Sequence, residues 1–236
     1  MSADVTTAEL PLFAGVPAGT LPGAAPTVGF RLAVVPTTVA QYWSYLVDQD
    51  LHRATSPLLH GFPATSGTGL RSTATGAVEF DRDLAELPVT GVTWVGAMAY
   101  CAWLGDRIGT PCRLPTVAEW HYAAAGGSRG LRWSLGDDFD RKTYAPAASL
   151  PRPVGATPAN TFGLRDMTGN VFEWCADPVT APESAGGGAL GSRMIKGGAY
   201  TVRNPESFEN ATVFSADELS AVPYIGFRVL GDTADG

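Results

Sequence analysis

Cysteine is scarce: Cys101, Cys112 and Cys175 are the whole complement of a 236-residue chain. An odd, widely spread set excludes a dense disulfide framework and suits a reducing compartment, with buried inert thiols as the expected state of all three. Cations are also few. Lys and Arg number 16 against 23 Asp and Glu, giving a formal net charge of −7 with no basic cluster. That excludes the clustered positive surface that nucleic acid requires. No apolar run approaches the roughly 20 residues of a membrane helix. The opening "MSADVTTAELPLFAGVPAGTLPGAAP" has neither a positive n-region nor a continuous apolar h-region. These features predict a soluble, cytoplasmic protein with no nucleic-acid or membrane partner. No Ser-His-Asp arrangement, phosphate loop or dinucleotide fingerprint is visible.

What the chain does have is turn-formers. Gly 28 and Pro 18, beside 45% apolar and 17% charged residues, describe a folded, loop-rich domain and not a helical bundle. One domain is expected over 27–230, after an irregular lead-in at 1–26 and before a tail at 231–236. "VGFRLAVVP" reads as a short strand, and "TTVAQYWSYLVDQ" places Val39, Tyr42, Trp43, Tyr45 and Leu46 on one helix face. Residues 51–86 lack a clear period and read as a long surface excursion. Ala97, Cys101, Leu104 and Ile108 share a second helix face that Gly109 should end. Thr116 with Glu119 forms a capping box for a helix over "VAEWHYAAA", stopped by Gly126 and Gly127.

Five ordered blocks are more specific: "RLPTVAEWHYAAAGG", "RWSLGDDFD", "NTFGLRDMTGNVFEWCAD", "RMIKGGAY" and "GFRVL". Together they resemble the formylglycine-generating enzyme, or sulfatase-modifying factor, family across roughly residues 27–230. The resemblance implies an α+β, loop-rich variant of the C-type lectin fold, with short antiparallel sheets and a few helices. Trp120, Trp133, Trp174 and Phe227 are then core anchors.

The resemblance also implies a structural calcium in "DMTGNVFE". Its ligands carry over to the carboxylates of Asp166 and Glu173 and the carbonyls of Gly169 and Val171, with Asn170 ordering the loop. Hard oxygen donors around a glycine turn suit that ion. A second calcium site of the family is not expected, because 139–160 lacks its "NxWxG" block.

In the family's oxidases the block after Lys-Gly-Gly leads to two cysteines that bind copper(I), a soft ion favouring thiolates. Alignment on "KGGAY" places Val202 and Ser207 there, and Ala199 where the family has serine. Valine binds no metal and serine is a hard, weak donor, so no copper is expected and formylglycine generation is excluded. The Arg-rich wall that follows in the family is replaced by "FENATVFSADELSAVPY".

Other chemistry needs other residues. Glu206, Glu209, Tyr200 and Ser207 are candidate catalytic groups, with Asp217 and Glu218 nearby, since two carboxylates of separated pKa can serve as acid and base. Tyr200, Val202, Arg203, Ser207, Phe208 and Tyr224 are candidate ligand-binding residues, and Phe214 adds an aromatic side chain. His52, His60 and His121 are the only imidazoles, with spacing that does not match a helical metal pair. Two functions fit: a tailoring enzyme acting on a small molecule or peptide in a rebuilt cleft, or a non-catalytic lectin-like binding protein. The family's diversity-generating retroelement variable proteins exemplify the second, with 199–225 as the variable segment.

Overall fold

The computed structural model describes residues 10–53, 69–179 and 191–232. Two four-stranded sheets organise it. In the first, β1 (Phe13–Val16), β2 (Phe30–Ala33), β10 (Leu230–Gly231) and β5 (Cys112–Arg113) lie in the order β1-β2-β10-β5. β1 pairs antiparallel with β2 in the register Phe13↔Ala33 to Val16↔Phe30. The lead-in expected to be irregular therefore carries an edge strand, and the C-terminal strand closes back onto the N-terminal hairpin. In the second sheet, β8 (Phe214–Asp217), β7 (Ser192–Lys196), β6 (Phe172–Pro178) and β9 (Ile225–Gly226) lie in that order.

The helices follow their sequence signals. Thr38 and Gln41 form a capping box ahead of α1 (Val39–Asp48), and Thr93 caps α2 (Trp94–Ile108), which Gly109 ends in the left-handed region at φ 67°. The predicted Thr116–Glu119 box starts α3 (Val117–Ala124). Arg113 then forks onto the same Glu119 at 2.6 and 2.7 Å, tying β5 to the helix start. A short α4 (Arg141–Tyr144) follows. The excursion at 51–86 is more ordered than its lack of period suggested. Its described part holds a hairpin of β3 (Leu70–Ser72) and β4 (Val78–Phe80) that buries Leu70 and Val78.

The core lies between the sheets and the helices. Tyr42 and Tyr100 stack at 5.8 Å, and both meet the edge of Phe227. Trp120, Trp133 and Trp174 are buried as expected, Trp174 donating its indole N–H to the Val92 carbonyl at 3.0 Å. Cys101 and Cys175 are buried and burial pushes both thiols far above their ordinary range. Cys112 is half-buried and rises to about 11. None of the three is a thiolate near neutrality, so none is a nucleophile as placed. Among the described residues no helix is long and apolar enough to cross a membrane.

Candidate functional site

The second sheet carries the segment 199–225 on its flank, and the loop 163–171 locks that flank in place. Asp166 sits at φ 55° and Asn170 at φ 66°, left-handed positions that Asp and Asn tolerate better than most residues. Gly169 is also left-handed, and a Cβ there would run into the Tyr144 carbonyl, so only glycine lets this turn pass α4. The Asn170 side chain grips Arg152 twice, accepting from its N–H at 2.9 Å and donating to its carbonyl at 3.1 Å. The Asn170 carbonyl accepts the Tyr200 N–H at 2.9 Å. One loop thus positions the first residue of the candidate wall.

Of the expected calcium ligands, the carboxylates of Asp166 and Glu173 are each engaged by protein donors. Asp166 is buried and accepts the backbone N–H groups of Gly155 and Thr157, the latter at 3.0 Å. Glu173 is fully buried, with both oxygens held by Arg228 and one also taking the Trp120 indole N–H at 2.7 Å. A guanidinium fork neutralises Glu173, and with the indole it takes three of the carboxylate's roughly four acceptor directions. Gly169 and Val171 would have only carbonyls to add. The loop is held by Arg228, backbone amides and glycine geometry.

The candidate catalytic groups are not brought together. Tyr200 donates its hydroxyl to the Pro223 carbonyl at 3.2 Å. Burial, and then the neighbouring Tyr224, push its phenol above the ordinary range, which keeps it protonated. Glu209 is bound by Arg132 at 2.6 Å, and Arg132 lies over the Trp133 ring at 4.5 Å. Glu206 is exposed on the short 3-10 turn Pro205–Phe208, which also carries half-buried Ser207. Glu218 pairs with Arg193 at 3.0 Å, and Arg193 stacks on Trp94 at 3.8 Å. Asp217 caps the Leu219 N–H at 2.8 Å. Glu209 and Glu218 each face a cation, so neither forms an acid–base couple with a second carboxylate.

The candidate ligand-binding residues divide. Phe208 is fully buried among Trp133, Phe139 and Tyr144, and belongs to the core, not to a wall. It is held under Gly198, where a Cβ would collide with its ring and where φ is 79°. Val202 is half-buried, bridging this cluster and the main core. Arg203 folds onto the Tyr200 carbonyl at 2.7 Å. Tyr200 and Tyr224 remain partly exposed, and Phe172 meets Phe214 at 5.3 Å and Tyr224 at 6.5 Å. Phe172 itself is buried in the main core, so the exposed part of this cluster is Phe214 and Tyr224, with Tyr200 bonded to Pro223 beside Tyr224. Phe172 was not singled out from sequence. Its signal was its alternation along β6 with Trp174, which places the two side chains on one face of the strand.

The two described histidines, His52 and His121, do not converge with other ligating groups. His52 packs edge-on against Trp43 at 5.6 Å. His121 is half-buried on α3, and burial followed by the charge of Lys196 lowers its imidazole to about 4. His60 lies outside the described residues. Among those residues no three His, Cys, Asp or Glu side chains group as metal ligands do.

Comparison with known proteins agrees with this architecture. A chain segment is 39% identical over 135 residues to the serine/threonine-protein kinase pkn1 of Chlamydia caviae, covering 53% of this chain and 21% of that protein. The chain thus spans about a fifth of that relative's length. The crystal structure of CarF superposes with a TM-score of 0.73 at 21% identity, over 95% of this chain and 99% of that one. Treponema denticola variable protein 1 superposes with a TM-score of 0.67 at 18% identity, over 94% and 95%. These likenesses show the loop-rich C-type-lectin-like fold. The Sulfatase-modifying factor enzyme 1-like domain matches residues 23–233, and the chain belongs to that family.

Proposed function

We propose that this chain is a ligand-holding member of the family, working through Tyr200, Phe214 and Tyr224 over the buried ring of Phe172, and not an oxidase that generates formylglycine. The observation that carries the reading is a contrast. Phe214 and Tyr224 both meet the buried ring of Phe172, while Glu209 and Glu218 are each engaged by a guanidinium. Aromatic side chains supply rigid contact area at low entropic cost, as binding surfaces require. Val202 and Ser207 stand where the resemblance places copper-binding cysteines, and neither gives a thiolate. The tailoring chemistry that sequence first suggested requires convergent acid and base groups, and of the candidates Tyr200 is bonded to Pro223 and Glu209 to Arg132. The ligand class is a small molecule or peptide with an apolar or aromatic part.

The test is chemical-shift mapping with a set of aromatic amides, run beside a conversion assay on a cysteine-containing peptide supplied with copper(I). Shifts clustered at Tyr200, Phe214 and Tyr224, reduced in Tyr224→Ala, with no aldehyde formed, support the reading. Aldehyde formation, or shifts scattered away from these rings, overturns it.

A further inference from the structure

The outer edge of β8 has a hydrogen-bond register that suits a partner strand. Glu218 N–H donates to the Gly191 carbonyl at 2.6 Å, which extends the pairing Ser192↔Asp217 through Ile195↔Phe214. Antiparallel neighbours alternate between bonded and non-bonded pairs. Phe214 and Ala216 therefore exchange bonds with β7, and Val213, Ser215 and Asp217 turn their N–H and C=O groups away from the sheet. The Asp217 carbonyl is taken by the Ser220 N–H at 2.8 Å. Among the described residues those of Val213 and Ser215 have no partner, and β8 ends its sheet. An edge of this kind templates another strand.

The side chains around that edge say what the strand should carry. Val213 is 41% exposed, Phe214 39% and Leu219 54%. Phe214 faces Phe172, on the side of the aromatic wall, while Ser215 and Asp217 alternate to the other face. Of the carboxylates in 199–225, Glu209 and Glu218 are paired with Arg132 and Arg193, while Glu206 and Asp217 are in no ion pair among the described residues. Arg203 is turned onto its own backbone carbonyls. An edge that carries the exposed, unpaired carboxylate of Asp217 on one face and Phe214 on the other complements an extended segment alternating apolar and basic residues.

We propose that β8 docks an extended cationic peptide segment of a partner protein, added to the sheet edge so that its apolar residues fall beside Phe214 and its basic residues opposite Asp217. Main-chain bonds to Val213 and Ser215 supply affinity, and alternate side chains supply selection. The inference rests on the reading of 199–225 as a holding surface and names its ligand class.

The probe is a dye-labelled, acetylated and amidated peptide alternating lysine and valine, followed by fluorescence anisotropy. Three comparisons accompany it: the same peptide N-methylated at alternate residues, the variant Ser215→Pro, and the variant Asp217→Lys. Ser215 makes no bond to β7, so proline there removes only an outward N–H, a substitution that edge strands tolerate. Saturable binding that weakens at least ~10-fold on N-methylation and in Ser215→Pro is expected, with a further loss in Asp217→Lys. Equal binding of the N-methylated peptide overturns the edge-docking inference, as does no binding. If Ser215→Pro fails to fold, N-methylation alone decides. Loss in Tyr224→Ala with no change on N-methylation keeps the holding surface and removes the added strand. Self-association through β8 that excludes the peptide overturns the inference in favour of a second copy of the chain.

Discussion

Arg228 closes on Glu173 through two hydrogen bonds of 2.7 Å, and neither side chain is exposed to solvent. The guanidinium also reaches the carbonyls of Ala33, Val34 and Arg165 at 3.0 to 3.3 Å. One side chain thus joins β6, the end of β2 and the 163–171 loop. An ion pair this well bonded is costly to break from one side, because the remaining charge stays buried without a partner.

Glu173→Gln removes that neutralising charge and leaves Arg228 buried. The expected loss is about 3–5 kcal/mol of unfolding free energy. Denaturant titration measures it. Chelator should leave the wild-type melting temperature unchanged, since the loop is held by protein donors. A chelator-sensitive melting temperature contradicts that account.

Asp166 distinguishes geometry from charge. Asp166→Asn keeps a residue that tolerates φ 55°. Asp166→Ala loses both that tolerance and the acceptor for Gly155 and Thr157. The alanine variant should therefore be destabilised by about 1.5–3 kcal/mol, the worth of charge-assisted hydrogen bonds, and the asparagine variant by less. Equal losses in thermal melts contradict the assignment.

Lys196 is fully buried without a carboxylate, donating to the carbonyls of Asn210 at 2.5 Å and Thr212 at 2.7 Å. Burial lowers its ammonium to about 8 from 10.5. In that interval the unfolded chain binds the proton that the folded one has released, so this group makes stability rise with pH from about 8 to 10.5. Comparison of wild type with Lys196→Met over that range isolates the contribution. A wild-type curve that falls relative to the variant contradicts it.

His121 acts at the acid end by the same sign. Its imidazole is held at about 4 against 6.5 when free, so the unfolded state binds the proton first. Stability should decline as pH falls from 6.5 towards 4, and His121→Gln should flatten that decline. Identical acid profiles contradict the prediction.

Much of the scaffold was legible because its signals are local. The Thr116–Glu119 box and the left-handed Gly109 lie within single helical turns of what they control, and both act as expected. The five blocks also marked the family. What sequence did not reveal depends on distance. Glu173 and Arg228 are 55 residues apart, so nothing near Glu173 indicated that its carboxylate was committed to a guanidinium. Phe208 looked like a wall residue until its position under Gly198 placed it in the core. The β3–β4 hairpin was missed because its strands have three residues each, too short for a period to register.

The central claim, that 199–225 is a holding surface, is tested most directly by titrating isotope-labelled protein with aromatic amides and following amide shifts. Saturable shifts at Tyr200, Phe214 and Tyr224 that vanish in Tyr224→Ala are predicted. Saturable shifts elsewhere, with these residues silent, would contradict it.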